Sequence, residues 1–258
     1  MAAILDCPES GPAQLNFRLF GTPVRVHFWF WLAMLMIGGR RGPLEAAVWV
    51  AVCFVSIPLH EMGHVAAFRF FGHRAEVVLY GCGGLAIPFG EVVGTLPRVW
   101  VALARPVAGF CLAALTMAAV GLTGGSYLFG WGFPPYLIAM PNPILVLGPH
   151  GTQTYYFVSV VADDFLFVNF AWGLINLLPV WPLDGGHISR ALERWDRSDG
   201  LRKSLILSAA ASVSIALANF ANNDQYLGFM FGLLAVSSFQ SLAAFQRRAI
   251  PVFRRYRD

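Results

Sequence analysis

The chain has 258 residues, of which 57% are hydrophobic and only 12% charged, about half the charge of an average soluble domain, so an ordinary soluble globular protein is excluded. The formal net charge of +4 follows from where the arginines fall along the apolar runs and calls for no nucleic-acid partner. Without repeats, low-complexity tracts or long linkers, residues 1–258 read as a single all-α polytopic membrane domain with about six transmembrane helices and a short membrane-associated β-hairpin.

In chain order, residues 1–23 form a polar lead-in containing proline and glycine, expected to be cytoplasmic. The first 20 residues lack a basic start followed by an apolar stretch, so no cleavable signal peptide is expected. Apolar runs then recur at 26–39, 44–71, 99–122, 165–182, 201–220 and 226–245. A membrane-spanning helix needs about 20 mostly apolar residues. Four runs meet that easily, 165–182 lies near the lower limit, and 26–39 falls short, with Arg25, Arg40 and Arg41 able to snorkel to the interfaces.

Between the second and third runs, residues 76–91 read EVVLYGCGGLAIPFGE. The β-prone pieces VVLY and LAIPF around Gly81, Gly83 and Gly84 predict a hairpin. Residues 124–156, rich in glycine, proline and aromatics, predict an extracytoplasmic loop lying on the membrane interface. After Asp184, Ile188, Leu192 and Trp195 fall at helical spacing against Arg and Glu, predicting a short interfacial helix. The chain closes on a basic tail, 246–258, expected to be cytoplasmic. With six spans, every Lys and Arg except Arg40 and Arg41 falls in the N-terminal segment, the second and fourth connections or the tail; the second connection holds Arg69, Arg74, Arg98 and Arg105. Basic residues mark the cytoplasmic side, so both termini are expected there. Cys7, Cys53, Cys82 and Cys111 are scattered and form no CxxC pair, so they read as apolar fillers.

The second run contains HEMGH, residues 60–64. Residues four apart share a helix face, so His60 and His64 can aim both imidazoles at one metal ion. Glu61 is then placed to reach water on that metal, the pattern of the HExxH zinc motif. Ionisable groups inside an apolar helix are costly and usually functional, and three occur within five residues here. The bland alternative is a polar contact between helices. His64 lies about 10 Å from the end of its run at 1.5 Å per residue, so a third ligand must come from similar depth. Asp184, in NLLPVWPLDGGH at the end of the fourth long run, is the only carboxylate between positions 165 and 186. Pro179, Pro182, Gly185 and Gly186 break the helix there, which is tolerated at membrane depth where backbone lines a wet cavity. For Asp184 the bland alternative is a turn at a helix end. Two histidines and an aspartate would leave an open position for water, as catalytic zinc sites do.

HEMGH followed by NLLPVWPLDGG resembles the site-2 protease family of intramembrane zinc metalloproteases; positions 176–186 match its pattern N-x-x-P-x-x-P-L-D-G-G. LFGTPVRVHFWF resembles that family's entry into its first helix, and YGCGGLA its hairpin. The resemblance covers about residues 17–245 and implies one zinc ion per chain on His60, His64 and Asp184. It assigns Glu61 to catalysis and Asn176 to the substrate backbone or the developing oxyanion. It also implies a zinc-dependent endopeptidase, multi-pass in the cell membrane, that cuts single-span regulatory membrane proteins in the lipid bilayer. The chain departs from some members in showing neither a PDZ-like insert nor a nucleotide-sensing domain after the last helix. His187, beside the double glycine, is read as a surface or supporting residue.

The expected hydrolysis requires a locally unwound substrate. The hairpin at 77–89 would bind it as an added strand, Gly81, Gly83 and Gly84 allowing close backbone approach; a simple tight turn explains the same glycines. Two other classes compete. A metal transporter needs polar residues continuing to the far face, which LEAAVWVAVCFVS does not offer. A non-catalytic membrane scaffold is expected to have lost a ligand or the base, yet His60, Glu61, His64 and Asp184 are all present.

Overall fold

The computed structural model describes residues 14–38, 41–81, 83–142, 152–193 and 200–254. By their internal contacts these fall into two units, Met1–Val92 with Ala104–Ile175, and Val93–Leu103 with Asn176–Asp258.

The first unit opens with β1 (Gln14–Leu19) and β2 (Thr22–His27), an antiparallel pair. The turn between them, Phe20 and Gly21, has φ of 48° and 76°, the twist that two-residue hairpins prefer. In β2, Thr22, Val24 and Val26 are buried in strict alternation with half-buried neighbours, the period of a strand. That alternation claims Val26 and His27 for the sheet. Helix α1 (Phe28–Gly38) is therefore only 11 residues long, about 16 Å at 1.5 Å per residue and short of the roughly 30 Å apolar core. Helix α2 (Pro43–Phe70) follows, with Pro58 inside it, then β3 (Arg74–Tyr80) and β4 (Gly83–Phe89).

Strands β3 and β4 realise the hairpin expected at 76–91 and extend it. Parallel pairing of β2 with β3, Val24 opposite Val77 through Val26 opposite Leu79, makes one four-stranded sheet in the order β1-β2-β3-β4. Arg25 Nη2 and Glu76 Oε1 pair across that junction at 2.5 Å. Strand β4 is an edge.

Helix α3 (Thr95–Leu122) leads to a second antiparallel pair, β5 (Ser126–Gly130) and β6 (Tyr136–Met140). These strands occupy part of the stretch expected as an interfacial loop. The fourth long helix starts earlier than the apolar run suggests. It comprises α4 (Thr152–Leu166), a π-helical turn (Phe167–Ala171) and α5 (Trp172–Asn176). Its charge is accommodated in pairs: Asp164 Oδ1 meets Arg41 Nη1 at 2.5 Å, and Asp163 Oδ1 accepts the Ala139 N–H at 2.7 Å.

In the second unit, α6 (Asp184–Glu193) precedes α7 (Gly200–Ala221) and α8 (Gln225–Arg254). Among the described residues five helices are long and apolar enough to cross a membrane: Pro43–Phe70, Thr95–Leu122, Thr154–Asn176, Gly200–Ala221 and Gln225–Gln246. With the short apolar α1 they match the expected count of about six.

Candidate active site

His60, Glu61 and His64 lie on consecutive turns of α2. His60 is 3% exposed, Glu61 wholly buried and His64 half-buried with its ring near Phe68. Burial comes from close backbone approach on two sides. On one side is α3, where a Cβ added at Gly109 would stand 2.3 Å from His60 Cε1 and 2.4 Å from its Nε2. On the other is β4, where a Cβ at Gly84 would stand 2.6 Å from Glu61 Cγ and Oε1. Only glycine lets these backbones lie so close. Gly83 serves a different end, a backbone φ of +118° at the turn, and Gly81 meets only ordinary contacts with Trp29.

Arg105 was grouped with the basic connection in the sequence, yet it lies inside α3 with Nη2 3.1 Å from Glu61 Oε1. The pair has ionic proximity without hydrogen-bond geometry, and neither Glu61 oxygen has a hydrogen-bond partner among the described residues. The guanidinium offsets part of the cost of burying the carboxylate. The rest of that cost stands in a carboxylate buried without hydrogen-bond partners among the described residues.

His60 is held from the π-helical turn. Its Nε2 is 2.9 Å from Asn169 Oδ1, and Asn169 Nδ2 donates to Ser56 Oγ at 2.9 Å and to the Phe165 carbonyl at 2.8 Å. Asn169 and Ser56 are both fully buried. Neither was singled out from the sequence. The signal for each was the one that exposed HEMGH, a polar residue in an apolar helix.

The second unit holds Asn176 and Asp184, both 3% exposed. Asn176 ends α5, and its Nδ2 has no hydrogen-bond partner among the described residues. Asp184 opens α6 after a tight reversal in which Val180 N–H reaches the Leu178 carbonyl and Leu183 N–H the Val180 carbonyl, each at 2.7 Å. Trp181 braces that reversal: its N–H donates to Ser208 Oγ at 2.7 Å, and the Arg190 guanidinium stands 4.2 Å over its ring. His187 is exposed beside Trp181.

Among the described residues, no group of three or more His, Cys, Asp and Glu stands close enough to hold a metal ion. The donor set of α2 nevertheless suits zinc. It offers imidazole nitrogens at a four-residue spacing and an adjacent carboxylate oxygen left unsatisfied.

A membrane-embedded histidine pair with an adjoining carboxylate defines the class. The chain belongs to peptidase family M50, whose sequence profile matches residues 48–219. It is 25% identical over 225 residues to the zinc metalloprotease MJ0392 of Methanocaldococcus jannaschii, covering 86% of this chain and 54% of that protein. Rip3 of Mycobacterium tuberculosis, a zinc metalloprotease by name, is 28% identical over 216 residues, covering 78% of this chain and 48% of its own length. The chain thus spans about half the length of these relatives. Its fold matches the site-2 protease of M. jannaschii with a TM-score of 0.54 at 20% identity, covering 89% of this chain and 95% of that one. Family and helices together make it a multi-pass membrane protein.

Proposed function

We propose that this protein is a zinc-dependent intramembrane endopeptidase that hydrolyses peptide bonds within or near transmembrane segments of single-span membrane proteins. The observation that carries the reading is Glu61, a wholly buried carboxylate with neither oxygen hydrogen-bonded among the described residues, flanked on α2 by His60 and His64 and backed by the glycine of an edge strand. His60, His64 and Asp184 would hold one zinc ion. Zinc, when bound, acidifies water and polarises a carbonyl. Glu61 takes a proton as the water oxygen attacks the scissile carbonyl carbon, and returns it to the leaving amine nitrogen as the C–N bond breaks. Asn176 Nδ2, buried and lacking a hydrogen-bond partner among the described residues, is a suitable donor to the oxyanion. The outer edge of β4 is suited to receive an unwound substrate as a further strand, with Gly84 bringing that edge against Glu61. Both termini are assigned to the cytoplasmic side from the arginine distribution.

The test is zinc content of the detergent-purified protein after metal reloading. About one zinc per chain is expected in wild type and Glu61→Gln, and a large loss in Asp184→Ala. A wild type that takes up no zinc would overturn the reading.

A further inference from the structure

Arg105 has no part in the reaction as proposed above, and in the sequence it reads as one more arginine of a basic connection. It lies well inside the apolar helix α3 (Thr95–Leu122), about 15 Å along the axis from Thr95 at 1.5 Å per residue. A cation within such a helix is costly and usually functional. Two close approaches fix where it stands. A Cβ added at Gly63 would lie 2.3 Å from the Ala104 carbonyl oxygen, and one added at Gly109 would lie 2.3 Å from His60 Cε1. Arg105 is next to Ala104 and shares a helix face with Gly109, so these approaches press its stretch of α3 onto HEMGH. Its side chain is only 16% exposed, and Nη2 comes within 3.1 Å of Glu61 Oε1. The same oxygen faces the backbone of β4, where a Cβ at Gly84 would stand 2.6 Å from it. Helix α3 and strand β4 therefore converge on Oε1, while Oε2 has no hydrogen-bond partner among the described residues.

We propose that Arg105 is a positioning residue for Glu61: by holding Oε1 it makes the two carboxylate oxygens inequivalent and reserves Oε2 for the proton that the reaction moves. The terminal torsion of a glutamate is broad and roughly two-fold, so burial alone does not choose between its oxygens. A positive charge fixed on a neighbouring helix does. The approach is made by one guanidinium nitrogen and lacks hydrogen-bond geometry, so the placed charge acts here, not the bidentate fork for which arginine is irreplaceable. The inference rests on the protease reading above and adds to it the residue that orients the base.

The experiment measures kcat and KM on a fluorogenic transmembrane peptide, with zinc content in parallel, for wild type, Arg105→Ala, Arg105→Met and Arg105→Lys. A misplacement of about 1 Å can cost about 100-fold, so Arg105→Ala should lose about 100-fold in kcat, with KM within about threefold of wild type and zinc retained. Arg105→Met, which keeps an apolar stem without the charge, should fall equally. Arg105→Lys should recover to within about tenfold of wild type, a rescue that a merely structural role for the guanidinium would not give. Unchanged kcat in Arg105→Ala would overturn the proposal, as would an effect on KM alone, a fall that tracks lost zinc, or an Arg105→Lys as slow as Arg105→Ala. A faster Arg105→Ala would overturn it too, by making the ion pair a brake. If Arg105→Ala does not fold, Arg105→Met decides by the same criteria. A wild type that takes up no zinc or leaves the peptide uncut would instead bring down the protease reading itself, and this inference with it.

Discussion

Two regions of this chain bury polar side chains among apolar helices, in opposite ways. Along α7 and α8, Ser208 and Ser238 share a hydrogen bond of 2.7 Å, and Ser204, Ser212 and Ser238 also donate to the carbonyls of Leu201, Ser208 and Leu234 on their own helices. These hydroxyls are small, neutral and satisfied. Around α2 the buried groups include a carboxylate with no exposure, and neither of its oxygens has a hydrogen-bond partner among the described residues. Satisfied hydroxyls act as adhesive between membrane helices, each contributing roughly 0.6 kcal/mol on average. An unsatisfied carboxylate costs stability. The lesson is that buried polarity alone does not mark a site.

Substitutions that complete or empty each region test the contrast. Glu61→Gln keeps the shape and removes the proton acceptor. Cleavage of a fluorogenic transmembrane peptide should fall by about 10⁴-fold, the upper end for general acid–base catalysis, while zinc stays bound. Substantial cleavage by this variant would remove Glu61 from the chemistry. Asn176→Ala should lower kcat by about 10²–10³-fold with KM nearly unchanged, as loss of an oxyanion donor does; a pure KM effect would reassign it to ground-state binding. Gly84→Ala brings a Cβ to within 2.6 Å of Glu61. Because a misplacement of about 1 Å can cost about 100-fold, activity should fall by that order with zinc content intact. Ser208→Ala is the smallest: a stability loss near 0.6 kcal/mol, read by unfolding in mixed micelles, and unchanged cleavage. A Ser208→Ala variant as inactive as Gly84→Ala would erase the distinction between the regions.

Much of this was legible in the residues because the bilayer simplifies the code. Apolar length announced α2, α3, α7 and α8, and a glycine cluster between β-prone runs announced β3 and β4. The short α1 was hidden because Val26 is as apolar in a strand as in a helix, and only pairing with β3 decides between them. The early start of the fourth helix was hidden because Asp163 and Asp164 look prohibitive until Ala139 and Arg41 pair with them. HEMGH was readable because its members are four residues apart on one helix. Arg105 and Asn169 were not, because each meets α2 from a distant stretch of chain. The π-helical turn has no sequence signature at all; its sign is the asparagine it displays.

The parallel pairing of Val24 with Val77 also has a consequence for biogenesis. The ribbon β1–β2 emerges from the ribosome first, but its partner β3 is made only after α1 and α2. Two helices are therefore enclosed in the loop that this pairing closes, and closing it costs chain entropy that local hairpins avoid. The sheet edge beside Glu61 thus becomes fully braced only once these helices are in place. A newborn chain carries HEMGH before it carries the strand that flanks it, so the order of synthesis delays assembly of the strand-backed site until that part of the chain has folded.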